Sequence, residues 1–163
     1  MAFLIDGFNL IYKFPELEEK MYQNKLNDAR KGLLDILKGF QQIKKTHIRV
    51  VFDGKKNPSH NLKSETIGTI DVYYSLDFSA DHLIKQFIKK DLNPRMTTVV
   101  TSDKDIIFFV NRFRTKVMES EKFAKYVENT IEEFYAEDIP EKEENPQLSD
   151  DELNYWEDMF KNK

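Results

Sequence analysis

Three short apolar segments, each followed by an aspartate, constrain the fold of this chain most. They are Ala2–Ile5 before Asp6, Ile48–Phe52 before Asp53, and Thr97–Thr101 before Ser102 and Asp103. A short apolar run is typical of a strand that is buried on both faces, as in a parallel sheet. The carboxyl ends of such strands line the crevice where open α/β sheets bind ligands. The pattern therefore predicts three aspartates at one edge of a sheet.

A cation is the simplest explanation for three aspartates that meet in this way. A turn or capping role explains any one of them, but carboxylates crowded together repel each other unless a cation neutralises them. The chain has no cysteine and three scattered histidines, which makes a zinc site improbable. Oxygen ligands remain, and they favour Mg²⁺ or Mn²⁺.

The segments between these strands predict helices and further strands. Apolar residues at three- and four-residue spacing predict a helix over Asn24–Lys45 and a right-handed βαβ unit with the flanking strands. Tyr12–Gln23 is predicted to be a loop or a short helical piece. We expect Thr66–Ser75, which is rich in β-branched and aromatic residues, to form one further strand. Thr115–Met118 and Phe123–Phe134 are predicted to be a last strand and a helix.

Two more acids are candidates for the same site. Ser79 is a good N-cap for a helix, and Asp81 falls in the first turn of that helix. There it either stabilises the helix dipole or holds a metal. Ser102 and Asp105 have a spacing like that of a capping box. Asp105 is therefore a possible metal ligand or a cap, and Asp103 is the better candidate ligand.

Basic residues follow two of the predicted elements. The polar loop after Asp53 carries Lys55, Lys56 and Lys63, and a short basic cluster includes Arg112 and Arg114. A solvated loop is the plain interpretation of the lysines. The functional interpretation is that all five residues hold the phosphates of a nucleic acid on either side of the acids.

Charge is distributed unevenly along the 163 residues. From Ala136 onward there are ten Asp or Glu against three Lys, so residues 1–135 keep 22 basic and 19 acidic residues. We predict one domain over 1–135, then an acidic linker and a C-terminal amphipathic helix over 136–163, which docks on its own domain or on a partner. The sequence shows no candidate membrane span and no signal peptide, and we expect a cytoplasmic protein.

Four sequence blocks resemble those of a known family. In order they are LIDGFNLI at 4–11, VVFDG at 50–54, SADHLI at 79–84 and VVTSD at 99–103. They resemble the signature blocks of the YacP-like NYN family in the PIN-like nuclease superfamily, over residues 2–135. Relatives commonly follow the last block with a basic loop that contains glycine, whereas Phe108–Thr115 has none.

The resemblance implies a fold, an activity and a set of residues. The fold is a three-layer α/β/α PIN-like (NYN) fold with a central, mostly parallel sheet and here a short C-terminal helical tail. The activity is that of a metal-dependent endoribonuclease that uses Mg²⁺ or Mn²⁺ and cleaves mRNA in association with the ribosome. By position, Asp6, Asp81 and Asp103 match the acidic centre, Asn9 matches the residue that orients it, and Asp53 matches the second-strand acid.

Other classes fit the sequence less well. A phosphatase of the haloacid-dehalogenase kind needs a second aspartate where Phe8 stands, and a dinucleotide-binding domain needs more than the single Gly7. The remaining alternative is a non-catalytic RNA- or ribosome-binding adaptor with a PIN-like fold. The clustered acids argue against it, because an adaptor has no use for them.

Overall fold

A computed structural model describes residues 1–54, 63–76 and 78–137 as one sheet with helices on both faces. The six strands are β1 Ala2–Asp6, β2 His47–Asp53, β3 Ser64–Ile67, β4 Ile70–Ser75, β5 Thr97–Val100 and β6 Lys116–Met118. The helices are α1 Gly7–Ile11, α2 Pro15–Tyr22, α3 Leu26–Lys44, α4 Ala80–Lys90, α5 Lys104–Asn111 and α6 Ser120–Glu137, and Pro94–Met96 is a 3₁₀ turn. The prediction of three α/β/α layers around a central, mostly parallel sheet is confirmed.

The order of the strands places a crevice at the end of β1. The sheet runs β3-β4-β2-β1-β5-β6, and every pairing is parallel except that of β3 with β4. From β1 the chain first adds strands on one side and then crosses to β5 on the other side. Ligand sites of open α/β sheets form where the strand order reverses in this way, at the carboxyl ends of the strands.

Alternate residues of β1 pack into two separate layers, as expected for a strand buried on both faces. Phe3 and Ile5 join the core with α3 and α6, where the rings of Phe3, Phe40 and Phe123 lie 5.0–6.0 Å apart. Leu4 faces the opposite layer, which α4 and α5 cover. Core packing on both faces therefore fixes β1, and with it the position of Asp6 at the end of this strand.

Two local predictions need correction. Thr66–Ser75 is not one strand but the hairpin of β3 and β4, which turns at Gly68 with a φ of +63°. The segment after α1 holds a short helix, one of its two predicted alternatives, and this helix begins with Pro15 at its first position. The last described helix, α6, is longer than predicted and begins at Ser120.

Several predicted features lie outside the described residues. Lys55 and Lys56 fall in 55–62, and nearly all of the proposed tail falls in 138–163. The domain boundary near residue 135 therefore stays a prediction. Among the described helices, none is long and apolar enough to cross a membrane.

Candidate active site

Four carboxylates line one open cavity at the carboxyl edge of the sheet. The cavity has a volume of about 260 Å³, and its walls are Asp6, Phe8, Asn9, Tyr12, Asp53, Ser79, Ala80, Asp81 and Asp103. The structure thus brings together the five residues that the sequence singled out, Asp6, Asn9, Asp53, Asp81 and Asp103. Their chemical roles stay predictions.

Parallel pairing of β1 with β2 places the first two acids. Asp6 and Asp53 are the last residues of these neighbouring strands, and Asp6 is opposite Val51 in the register. Gly7 follows Asp6 and begins α1 against β2. A Cβ atom on Gly7 would lie 2.5 Å from the ring of Phe52. The absence of a side chain there allows α1 to turn closely over β2 and carry Asn9 to the cavity.

Thr101 joins two of the acids. Its hydroxyl donates to Oδ2 of Asp6 over 3.0 Å and accepts from the backbone N–H of Asp103 over 3.1 Å. Thr101 is fully buried. A buried hydroxyl that both donates and accepts is satisfied on two sides. It therefore fixes the carboxylate of Asp6 relative to the chain that carries Asp103.

Asn9 is held through its carboxamide oxygen. Oδ1 accepts from the backbone N–H of Ser102 over 2.9 Å and from the hydroxyl of Ser120 over 2.5 Å. The backbone N–H of Ser120 in turn donates to Oγ of Ser102 over 3.2 Å. Ser120 is fully buried and is the first residue of α6. The start of this helix is therefore part of the scaffold of the cavity.

Asp103 is the N-cap of α5. Its Oδ1 accepts from the backbone N–H groups of Asp105 and Ile106, at 2.8 and 3.4 Å. The capping box predicted for Ser102 and Asp105 is therefore wrong. Asp105 is exposed and does not line the cavity, so the structure does not bring it together with the other acids.

Lys85 is a neighbour of the acidic cavity. Its Nζ lies 2.9 Å from Oδ1 of Asp81, one turn earlier on α4. The hydrogen bond to Asp81 raises the pKa of Lys85, burial opposes this change, and the charges of Asp81, Asp105 and Asp103 raise the pKa further. The ammonium therefore experiences the negative charge of several carboxylates.

The donor set fits a hard divalent cation by its chemistry. Carboxylate oxygens and water suit Mg²⁺ and Mn²⁺. Within residues 1–54, 63–76 and 78–137, no three acidic, histidine or cysteine side chains stand close enough to hold one ion together. Mg²⁺ does not require such a cage, because it usually keeps several waters and is bound by one or two carboxylates. Asp6, Asp53, Asp81 and Asp103 are the residues that would hold it.

The predicted basic residues are divided between the two edges of the sheet. Lys63 lies at the carboxyl edge, where its carbonyl accepts from the N–H of Tyr74 over 2.8 Å. Arg112 and Arg114 follow α5, which leads from the cavity to the start of β6 at the opposite edge. A whole helix therefore separates them from Asp103, and their predicted contact with the RNA backbone stays a prediction.

Comparisons with known proteins agree with this architecture. A family model described as the YacP-like NYN domain matches residues 3–161. The crystal structure of Rae1 (YacP) from Bacillus subtilis is similar at 20% identity and a TM-score of 0.69, over 99% of this chain and 91% of that one. A mutant of the same protein gives 21% identity and a TM-score of 0.67, over 85% and 82%.

At these identities the two crystal structures bear on the fold alone. No curated protein matches the chain. The family match is what decides membership, because it spans nearly the whole sequence, including the residues after 135 that the resemblance of the four blocks did not reach. The chain belongs to the YacP-like NYN domain family and has a PIN-like nuclease fold.

Proposed function

We propose that this protein is a metal-dependent endoribonuclease that hydrolyses phosphodiester bonds of RNA. Asp6, Asp53, Asp81 and Asp103 hold Mg²⁺ or Mn²⁺, and Asn9 orients the centre. The observation that carries the proposal is the cavity itself, in which these four carboxylates meet from three strand ends and one helix.

Electrostatics favours a cation in this cavity. Four carboxylates that face one small space repel each other, and the repulsion is relieved by protonation or by a positive charge. A divalent cation relieves the repulsion and uses the ionised carboxylates as its ligands. When bound, divalent ions activate a water and stabilise the charge that develops on the phosphate and the leaving oxygen.

The residues around the acids have supporting roles. Thr101 restrains Asp6 through the 3.0 Å hydrogen bond to Oδ2. The cap on α5 restrains Asp103 through Oδ1. Asn9 adds no charge, and its oxygen already accepts two hydrogen bonds, so its orientation is fixed. These restraints let the acids meet a cation with little further ordering.

The proposed substrate is mRNA bound at the ribosome, in the cytoplasm. Support for it comes from family membership and from the resemblance of the four sequence blocks. Lys63 at the carboxyl edge, with Lys55 and Lys56 of the preceding loop, is proposed to hold the RNA backbone. Arg112 and Arg114 are not part of this proposal, because they lie at the other edge.

The test measures metal binding and cleavage separately. Added Mn²⁺ is expected to raise the melting temperature of the full-length protein and to start cleavage of a labelled RNA, with EDTA reversing both. Asp6→Asn is expected to abolish both effects. Asp103→Asn is a sharper variant, because asparagine caps a helix as well as aspartate does but binds the metal less well. Asp35→Asn, at an exposed acid in the middle of α3, is the matched control.

An adaptor is the second candidate, since no three acids of the described segments are close enough to form a ready metal cage. It predicts RNA or ribosome binding with no stabilisation by Mn²⁺ and no cleavage, even when ribosomes are supplied. That result, with Asp6→Asn behaving like the unmodified protein, would refute the nuclease.

A further inference from the structure

Two exposed aromatic groups stand on opposite sides of the acidic cavity. Tyr12 lines the cavity at the end of α1, and 38% of its surface is exposed. Phe78 is 59% exposed and directly precedes Ser79, which is part of the opposite wall. Helix α1 packs on the core layer of α3, and α4 packs on the other layer. Tyr12 and the chain that carries Phe78 into α4 therefore flank the carboxylates from the two faces of the sheet.

The ring of Phe78 packs against the ring of His82 at a tilt. Its centroid lies 4.7 Å from that of His82, with 31° between the ring planes. His82 is in the first turn of α4, next to Asp81, and is itself exposed. The pair forms an exposed aromatic platform next to the cavity, which its chain neighbours Ser79 and Asp81 line. A platform of this kind is what a nucleobase stacks on, whatever its sequence, because every base has a π-face.

We propose that Tyr12 and the Phe78–His82 pair stack the nucleobases on either side of the scissile phosphate of the RNA strand. The position of the scissile phosphate rests on the proposed function. The acidic cavity attracts the phosphate only through its cation, whereas the aromatic rings bind bases without any charge. The two interactions therefore act on different parts of one strand.

A duplex does not meet these requirements. Its base faces are covered by their neighbours, and proteins recognise double-stranded RNA through its shape, phosphates and 2′-hydroxyls. Two aromatic groups on either side of a cavity need bases that are already unstacked. The arrangement thus selects the loop, the end or the unpaired stretch of an RNA.

A local structural role for Phe78 is the competing explanation. Phe78 stands immediately before the N-cap Ser79, where an apolar residue fixes the entry of the chain into α4. Leucine would preserve that packing and lose the flat ring. Phe78→Leu therefore separates stacking from packing, and Tyr12→Phe separates the ring of Tyr12 from its hydroxyl.

The test measures RNA binding by fluorescence anisotropy in EDTA, where metal-dependent cleavage is absent. A short labelled single strand is compared with the same strand annealed to its complement. Tyr12→Ala, Phe78→Ala and Phe78→Leu are each expected to weaken binding of the single strand by about 5- to 100-fold. The slope of affinity against salt should not change, because stacking releases no counterions. Tyr12→Phe keeps the ring and should weaken binding far less than Tyr12→Ala does.

Phe134→Ala is the matched control, since Phe134 is 43% exposed but lies near the end of α6, away from the cavity. It should bind RNA normally, and melting temperatures should show that all variants are folded. Equal affinity for the duplex, unchanged binding by the alanine variants, or normal binding by Phe78→Leu would overturn the inference. So would an unmodified protein that binds no RNA.

A 2-aminopurine base in the strand gives a second measurement. Its fluorescence should be quenched by the unmodified protein and not by Tyr12→Ala or Phe78→Ala. If quenching is observed but Mn²⁺ produces no cleavage, the stacking inference stands and the nuclease is refuted. If cleavage occurs and no quenching is found with the base at any position, the nuclease stands and the stacking inference is refuted.

Discussion

Substituting Gly7 by alanine tests how tightly α1 is set against the sheet. The new Cβ would lie 2.5 Å from Cδ1 and Cε1 of Phe52 and 3.0 Å from the carbonyl oxygen of Val51. Carbon atoms pack at about 3.5–4.0 Å, so the ring or the helix has to move by roughly 1 Å. Phe52 is fully buried, and the rings of Phe8 and Tyr74 lie 5.1 and 6.1 Å from it. The ring therefore has little room to yield.

Two opposing effects set the change in the free energy of unfolding for Gly7→Ala. Overpacking of a dense core typically costs about 1–3 kcal/mol. Replacing a helical glycine by alanine returns about 0.5–1 kcal/mol. The middle of each range gives an expected net loss for Gly7→Ala of roughly 1 kcal/mol in the free energy of unfolding. For a chain of this length that lowers the melting temperature by about 2–4 °C.

Gly39→Ala is the matched control in the same chain. Gly39 is inside α3, and the nearest atom to an added Cβ, Cδ1 of Ile131, is 4.0 Å away. The same substitution should therefore stabilise the protein there by about 0.4–1 kcal/mol. Thermal and urea unfolding followed by circular dichroism measure both variants. A shift of the two in the same direction, or a Gly7→Ala protein as stable as the parent, would refute the steric argument.

Three further predictions concern a pKa, a hydrogen bond and the tail. Burial and Glu65 raise the pKa of Tyr74 to about 12. The neutral Tyr74 hydroxyl therefore stabilises the folded state fully below pH ~10, and this stabilisation is lost as the pH rises through about 12. Unfolding measured across that range should show a smaller decline for Tyr74→Phe. Ser120→Ala removes the hydrogen bond from the Ser120 hydroxyl to Asn9 and should lower the free energy of unfolding by about 0.5–1.5 kcal/mol. The loss should be measurable as a lower urea midpoint, and RNA cleavage should be slower. Truncation after Glu137 should lower the melting temperature by several degrees if the tail docks on this domain. Unchanged stability with lost ribosome association would assign the tail to a partner.

The sequence was sufficient to predict much of the fold and the composition of the cavity. Apolar runs without polar alternation identify buried parallel strands, and such strands necessarily bring Asp6, Asp53 and Asp103 to one edge. Ser79 predicts the start of α4 and thereby places Asp81. These features depend on local patterns plus one rule of topology, which is why a single sequence reveals them.

Features that depend on tertiary contacts were not predictable. Ser120 and Asn9 are 111 residues apart, and no local pattern links a serine at a helix start to a distant asparagine. Thr101 looked like one more residue of its strand until its partners were known. The hairpin was missed because apolar and β-branched residues continue on both sides of Gly68. Arg112 is close to Asp103 in sequence, but a full helix, which sequence spacing alone does not reveal, lies between them.

The Lys85–Asp81 pair has a consequence for how the cavity responds to its surroundings. The ammonium already occupies one oxygen of Asp81 at 2.9 Å, so a divalent ion that uses this oxygen has to displace it. Loading is then an exchange of one cation for another. Such an exchange weakens the apparent affinity and lets the folded protein tolerate an empty centre. Lys85→Met should tighten metal binding and make the metal-free protein less stable. The variant would then retain a divalent ion that the unmodified protein exchanges with the Lys85 ammonium.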